Sequence, residues 1–484
     1  MNLAMLLEMV ADGLGDRVAI GNRADGLTYA RVRELAAAVP KHLAAAGATT
    51  VALADHTGPI VPVALFGAAW AGASYAPLNY RLPEAALTRL VEQVQPAMLV
   101  DPPTATRWLD PSADAATDAF PDEPERPAIL LFTSGTSAAP KAAVLRHEHL
   151  LSYIFNTVEF AAADEDEAVL LAVPPFHVAG VAAVLSSTYA GRRIVPLPAF
   201  SAEAWLEAAR REEVTHAFVV PTMLARIVSV MDAERDARVP SLRHLAYGGA
   251  RMPLPVLERA LELFPDTGFV NAYGLTETSS TVAVLGPDDH RTAWASDDPF
   301  LRKRLESAGR AVPGIEVRIA DADGAELGPD EPGQILVRGA QVSGGYVGVA
   351  SQRDDEGWLH TGDVGYLDGD GYLFIGGRAD DVIIRGGENI APAEIEDVLL
   401  RHPAVASAAA VGVPDLEWGE RVAAMITLRP GADIPVEEIV MWAREELGSL
   451  KAPQTIAVRD ELPHTATGKV IRREVREELV EGDR

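Results

Sequence analysis

Apolar positions along this chain recur with two different spacings. LTYARVRELAAAVPKHLAAAG carries them at helical intervals, VALAD is an apolar run of strand length, AALTRLVEQVQ returns to the helical interval and AMLV to a strand. The same alternation resumes with AVLLAVPPFH, the helix AEAWLEAARREE, and the strands of THAFVVPTML and HLAYGGA. Repeated helix–strand alternation predicts parallel sheets covered by helices. From about Val312 the pattern changes. GIEVRIADADGAELG, GQILVRG and GYLFIGG read as short strands broken by Asp-Gly and Gly-Gly turns, which predicts a small β-barrel or antiparallel sheet. After Arg378, DDVIIRGGENIAPAEIEDVLLRHP, ASAAAVGVPD and VAAMITL predict a strand, a helix and two strands, a small α+β domain.

At 484 residues the chain is too long for one hydrophobic core. Its 42 basic and 70 acidic side chains give a net charge of −28, which argues against a nucleic-acid partner. Any anionic substrate must therefore be held by a local cluster of donors against the overall field. With no cysteine, disulfides, thiolate metal sites and a cysteine nucleophile are excluded, and a cytoplasmic location is expected. The opening MNLAMLLEMVADGLGDR has no basic lead and carries Glu8 inside its apolar run, so it does not read as a signal peptide. The uncharged stretch Gly58 to Tyr80 is long enough to raise a membrane question. Three prolines and mostly small residues favour a buried helix between two strands instead, so no integral membrane association is expected.

Candidate chemistry begins at LFTSGTSAAPKAAVL, Leu131 to Leu145. The strand-like AILLF precedes it and HEHLLSYIF opens a helix after it. A strand followed by a Ser/Thr/Gly turn and a lysine points backbone N–H groups and hydroxyls at phosphate oxygens. It is not the GxxxxGKS/T loop, and a Ser/Thr-rich turn alone is more often only a turn. NAYGLTETSS, Asn271 to Ser280, sets Glu277 among hydroxyls, hard donors that suit a magnesium ion shared with phosphates. GWLHTGDVGYLDGDGYLFIGGRADD holds Asp363 in a glycine-framed turn, where a carboxylate can accept both hydroxyls of a ribose. HTATGKVIRREV puts Lys469 in a glycine turn before a C-terminal helix. Each stretch alone could be a cap, a hairpin or a solvated lysine; together and in this order they point to one nucleotide site.

In that combination, and from LTYARVREL through PLNYRLP to the terminal lysine, the chain resembles the adenylate-forming superfamily, specifically its acyl-CoA synthetase branch of AMP-dependent acid:CoA ligases. The resemblance implies a large N-terminal AMP-binding domain, residues 1–379, of two doubly wound helix-covered sheets plus a small β-barrel. A small mobile α+β lid domain, residues 380–484, would follow. It implies that ATP, with Mg2+, joins a carboxylic acid to AMP and that the acyl group then passes to coenzyme A. Thr133, Ser134, Gly135, Thr136, Ser137 and Lys141 would hold the β- and γ-phosphates. Gly248, Gly249 and Ala250, with Asn271, Ala272, Tyr273 and Gly274, would frame adenine and one wall of the acyl pocket. Thr276 would touch the α-phosphate, and Glu277, with Thr133, would bind the metal. Asp363 and Arg378 would hold the ribose, Asp380 would be the hinge, and Lys469 would bridge the substrate carboxylate and the α-phosphate. Arg385, Gly386, Gly387 and Glu388 would line the path of coenzyme A.

The chain departs from the family pattern at Ala138 and Ala142, where relatives usually carry glycine, and at Ser137, where a threonine is usual. Some weakening of pyrophosphate contacts is expected, rather than a dead site. Amino-acid-activating relatives place an aspartate after the aromatic residue of the motif that here reads PPFHVAGVA. Val178, Ala179, Gly180 and Val181 follow His177 instead, so nothing would pair with an ammonium group. A pocket of His177, Val178, Gly180, Gly249, Ala250 and Ser279 suits an apolar monocarboxylate, fatty or aryl or alicyclic. TETSSTVAV holds no arginine for a second carboxylate. An acyl-AMP ligase serving a carrier protein and a non-catalytic nucleotide binder stay as alternatives, and a homodimer stays open.

Overall fold

The computed structural model describes the chain except residues 111–119, 122–125, 134–139, 234–237, 350, 386–387, 416–417, 466–468 and 483–484. Its largest sheet has nine strands. Five of them, Arg193–Pro196, Ala168–Leu171, His216–Val219, His244–Gly248 and Gly268–Leu275, run parallel in that spatial order. The antiparallel strand Ser280–Leu285 continues the sheet beyond Gly268–Leu275. A second, five-stranded sheet holds Ala97–Val100, Thr50–Leu53, Ser74–Pro77 and Pro127–Thr133 in parallel, and Lys141–Arg146 folds back antiparallel at its edge. The expected parallel sheets covered by helices are therefore present.

The uncharged segment lies between the sheets as helix Ile60–Trp70, and every one of its residues is buried. A helix apolar on all sides must be covered on all sides. One core cluster accordingly holds that helix together with Val51 and Leu53 of the smaller sheet and Ile20, Val169 and Ile194 of the larger one. Among the described residues no helix is long and apolar enough to cross a membrane.

The turn-rich segment forms a four-stranded antiparallel meander, Ile315–Ala320, Gly333–Gly339, Leu359–Leu367 and Leu373–Arg378. Among the described residues its two outer strands do not pair with each other. The sheet covers its apolar face with the larger sheet: Ile319, Ile335, Val337, Leu359 and Leu373 pack on Val282 and Ala283.

The C-terminal domain has separate cores. Ile383, Ile395, Leu399, Val422, Ile426 and Ile439 belong to one cluster, and Val411, Met425, Val475 and Leu479 to another. Helices Pro392–Arg401 and Val436–Lys451 contribute to the first cluster and helix Arg472–Gly482 to the second, while strands Val405–Asp415 and Gly419–Leu428 contribute to both.

Candidate active site

The ends of three large-domain elements meet where the sequence motifs lie. Thr133 and Lys141 are the last register pair of the edge hairpin, and the Thr133 hydroxyl donates to the Lys141 carbonyl at 3.5 Å. Ser134, Gly135, Thr136, Ser137 and Ala138 fall outside the described residues. Ala142 lies on the strand that follows this stretch. Its methyl is buried with Ala76, Val94 and Leu130, and its carbonyl accepts from Val347 N at 2.9 Å. A methyl that fills a core site has no looseness to relieve.

Strand Gly268–Leu275 leads into the turn Thr276–Thr278 across a bulge at Tyr273/Gly274. A Cβ on Gly274 would lie 1.7 Å from the Ser280 carbonyl, so only glycine fits. The turn is heavily tied. Thr278 Oγ1 donates to Ser280 O at 2.9 Å, and Gln341 Nε2 donates to Thr278 O at 3.0 Å and Thr281 O at 2.7 Å. Ser343 N donates to Glu277 O at 2.8 Å, and Ser279 N donates to Thr276 O at 3.2 Å. Ser279 is fully buried and its hydroxyl donates to Gln341 O at 2.9 Å.

The Glu277 carboxylate accepts a hydrogen bond from the Tyr346 hydroxyl, to which the Thr133 side chain also bonds. Burial, then the Glu277 charge, holds that hydroxyl well above the ordinary tyrosine range. Backbone bonds from Val144 N to Gly345 O (2.9 Å) and from Val347 N to Ala142 O stitch the same segment to the hairpin. Tyr346 and Gln341 were not read from the sequence. Tyr346 lies 69 residues from Glu277, and nothing local in GGYVG announces that partner.

Asp363 is buried and both carboxylate oxygens are occupied, Oδ2 by Tyr273 OH at 2.6 Å and Oδ1 by Arg378 Nη1 at 3.0 Å. Burial and then Asp363 push the Tyr273 hydroxyl far above its usual range, so it stays a donor. Ala272 pairs in register with Gly248, whose Cβ would meet the Ala272 carbonyl at 2.3 Å. Gly249 and Ala250 are exposed beyond it. Asn271 Nδ2 donates to Ser307 O at 2.9 Å.

His177 caps helix Val178–Ala190 by accepting from Ala179 N at Nδ1, 3.2 Å away. Val178 is buried, and Gly180 has no room for a side chain, because a Cβ would stand 2.5 Å from Pro174 O. Burial first, and the Lys469 ammonium second, hold the His177 ring below the ordinary histidine range, favouring the neutral form. Lys469 belongs to the small domain, where its amide donates to Thr465 Oγ1 at 3.1 Å and its carbonyl accepts from Thr465 N at 2.7 Å.

Asp380 sits in the short turn Ala379–Asp381 between the domains. Its neighbour Asp381 pairs with Arg472 at 3.4 Å. Arg385 donates to Ser449 O at 3.0 Å and to Leu450 O, near the C-terminal end of helix Val436–Lys451, and Glu388 is its register partner. Gly386 and Gly387 fall outside the described residues.

The family model described as AMP-binding enzyme matches residues 7–347, and that of the AMP-binding enzyme C-terminal domain matches 394–469. The chain belongs to this AMP-binding family. Feruloyl-CoA synthase of Amycolatopsis sp is 34% identical over 480 residues, 95% of each chain. A fatty acid--[acyl-carrier-protein] ligase of Streptomyces coeruleorubidus is 32% identical over 445 residues, 85% of this chain and 83% of that one. Among solved structures, o-succinylbenzoate CoA synthetase of Bacillus subtilis with its acyl-adenylate intermediate superposes with a TM-score of 0.84 at 28% identity, covering 97% of both chains. That synthetase is also solved with ATP and magnesium ion. The protein belongs to the adenylate-forming acid:CoA ligase family.

Proposed function

We propose that this ligase activates an apolar aryl monocarboxylate with ATP and Mg2+ and transfers the acyl group to coenzyme A. One observation carries the two-domain chemistry. The Lys469 ammonium of the small domain acts electrostatically on His177 of the large domain. A lysine whose charge is felt at His177 would be able to lie between an acid's carboxylate and the α-phosphate of ATP.

In the first half-reaction a carboxylate oxygen attacks the α-phosphorus and pyrophosphate leaves. Two anions must meet, and Lys469 lowers that repulsion as charge builds in the transition state. Thr276 would donate to the α-phosphate, while Thr133 and Lys141, with the motif residues between them in sequence, would hold the leaving phosphates. Asp363, fixed by Tyr273 and Arg378, would accept from the ribose. Glu277, Thr133 and the Tyr346 hydroxyl form one hydrogen-bonded group of oxygens, the donor type magnesium requires. Glu277 and Thr133 would hold the ion, and a bound magnesium ion neutralises phosphate charge. In the second half-reaction the coenzyme A thiolate attacks the acyl carbon and AMP leaves, with the lid rotated about Asp380.

The substrate class rests on the pocket and on relatives. No acid follows His177, and the ring itself is held neutral by burial, so the wall offers no countercharge for an ammonium. Gly249 and Ala250, both exposed, would leave open space at the other side. The acids named for feruloyl-CoA synthase and o-succinylbenzoate synthetase are both aromatic. The carrier-protein ligase among the relatives supports a second acceptor. The test is pyrophosphate release over a panel of aryl, alicyclic and fatty acids, with the thioester identified by mass spectrometry. Release with aryl acids and a coenzyme A thioester is expected. Preference for fatty acids would overturn the substrate class. Adenylate that accumulates despite free coenzyme A and turns over only with a carrier protein would overturn the acceptor.

A further inference from the structure

The two domains meet through an ion pair as well as through the electrostatic effect of Lys469 on His177. Arg251 follows directly on the exposed Gly249 and Ala250 of the large domain. Its guanidinium bonds Glu306, on the large domain's turn Lys303–Glu306, at 3.1 Å, and also pairs with Asp397 on helix Pro392–Arg401 of the small domain. The small domain keeps its own cores, and the chain passes from the large domain into it through the single turn Ala379–Asp381. Separate cores, a short connection and a polar interface are the conditions under which domains move relative to each other.

We propose that Arg251 is a positioning residue that holds the small domain over the site, with Lys469 directed inward, by bridging Glu306 and Asp397. This inference rests on the two-step reading above. Arg251 touches neither substrate nor nucleotide in that reading; it biases which half-reaction the enzyme is ready for.

The charges around Asp397 make the bridge proton-sensitive. Burial in the closed posture, opposed by Arg251 and reinforced by Glu306 and Glu396, with Arg401 opposing it again, raises the Asp397 carboxyl from 3.8 to about 6. The part of this rise that the large domain supplies, through burial and Glu306, makes closing take up protons. Closure is therefore favoured most below the ordinary carboxylate range, and this contribution is lost as pH rises through about 6. Above that pH Asp397 is charged in both postures, and Arg251 is the group that offsets its burial.

The chain has no cysteine, so two can be introduced without interference. Spin labels at the exposed positions Glu203, in the large domain, and Glu477, in the small domain, report lid posture by distance distribution whether or not a substrate is known. At pH 7.5 Arg251→Ala should deplete the closed population roughly tenfold, the weight of about one pKa-unit-sized interaction. Acid-dependent pyrophosphate release should fall with it, while thioester formation from supplied acyl-adenylate stays near the parent rate. Arg251→Lys should restore part of the loss. The Arg251→Ala defect should shrink at pH 5, where Asp397 closes protonated, and Asp397→Asn should close independently of pH. An unchanged closed population in Arg251→Ala, or equal loss of both half-reactions, overturns the proposal. Failure of the parent enzyme to release pyrophosphate with any acid would instead overturn the functional reading, and the label distances would still report on the bridge.

Discussion

The turn that carries Glu277 and the turn that carries Lys469 are opposite kinds of structure. Around Glu277, hydrogen bonds from Gln341, Ser343 and Tyr346 converge from a segment distant in sequence, and Ser279 is wholly buried behind it. Lys469 is held within its own turn by Thr465, and its place near His177 depends on how the entire small domain sits. The first site is preorganised by packing, which suits groups that must grip the nucleotide throughout. In the proposed reading the second would be delivered by domain position, which suits a group needed in one step only.

Lys469→Ala breaks this contrast most severely. It should lower ATP- and acid-dependent pyrophosphate release on the order of a hundred- to a thousandfold, the scale of losing one preorganised charge-stabilising group. The same variant should convert supplied acyl-adenylate and coenzyme A at nearly the parent rate. Asp380→Pro should do the reverse by fixing φ at the connection. Equal loss of both steps in Lys469→Ala would mean one fixed site.

Ala250→Leu probes the rigid side. Packed walls relax little around added volume, so the longest accepted acids should lose on the order of tenfold in kcat/KM while short acids lose less. A parallel loss for all acids would place Ala250 away from the acyl chain.

Tyr346→Phe tests whether the Glu277 turn is held as firmly as its bonds suggest. Removing one hydrogen bond to a charged group costs about 1.5–3 kcal/mol where the charge is left unsatisfied. The KM for ATP should rise roughly tenfold, and Tm should fall by a few degrees. Unchanged ATP kinetics would show that Glu277 is positioned without it.

Ala142→Gly should have the smallest effect. Losing a buried methyl and gaining backbone freedom in a strand should cost about 1 kcal/mol, lowering Tm by a few degrees at most. The KM for ATP should stay put, because the methyl faces the core cluster rather than the phosphates. A fall in KM would restore the reading in which alanine here loosens the loop.

Local pattern determined much of this protein. The periodicity of AMLV or AEAWLEAARREE is set by residues a few positions apart, and those segments form strand Ala97–Val100 and helix Ala202–Arg211. The motif stretches were legible for the same reason, since hydroxyls, glycines and a carboxylate crowded into a turn are visible in a short window. Tertiary structure alone decided what those residues lean on. Asp363 takes Tyr273 from a strand ninety positions earlier, Glu277 takes Tyr346, and Arg251 takes Asp397 from another domain. It also decided that Ala142 is core rather than loop, because burial of one methyl depends on which strands close around it. Spacing along the chain carries no record of such encounters; they exist only once separate elements have packed and excluded water from between them.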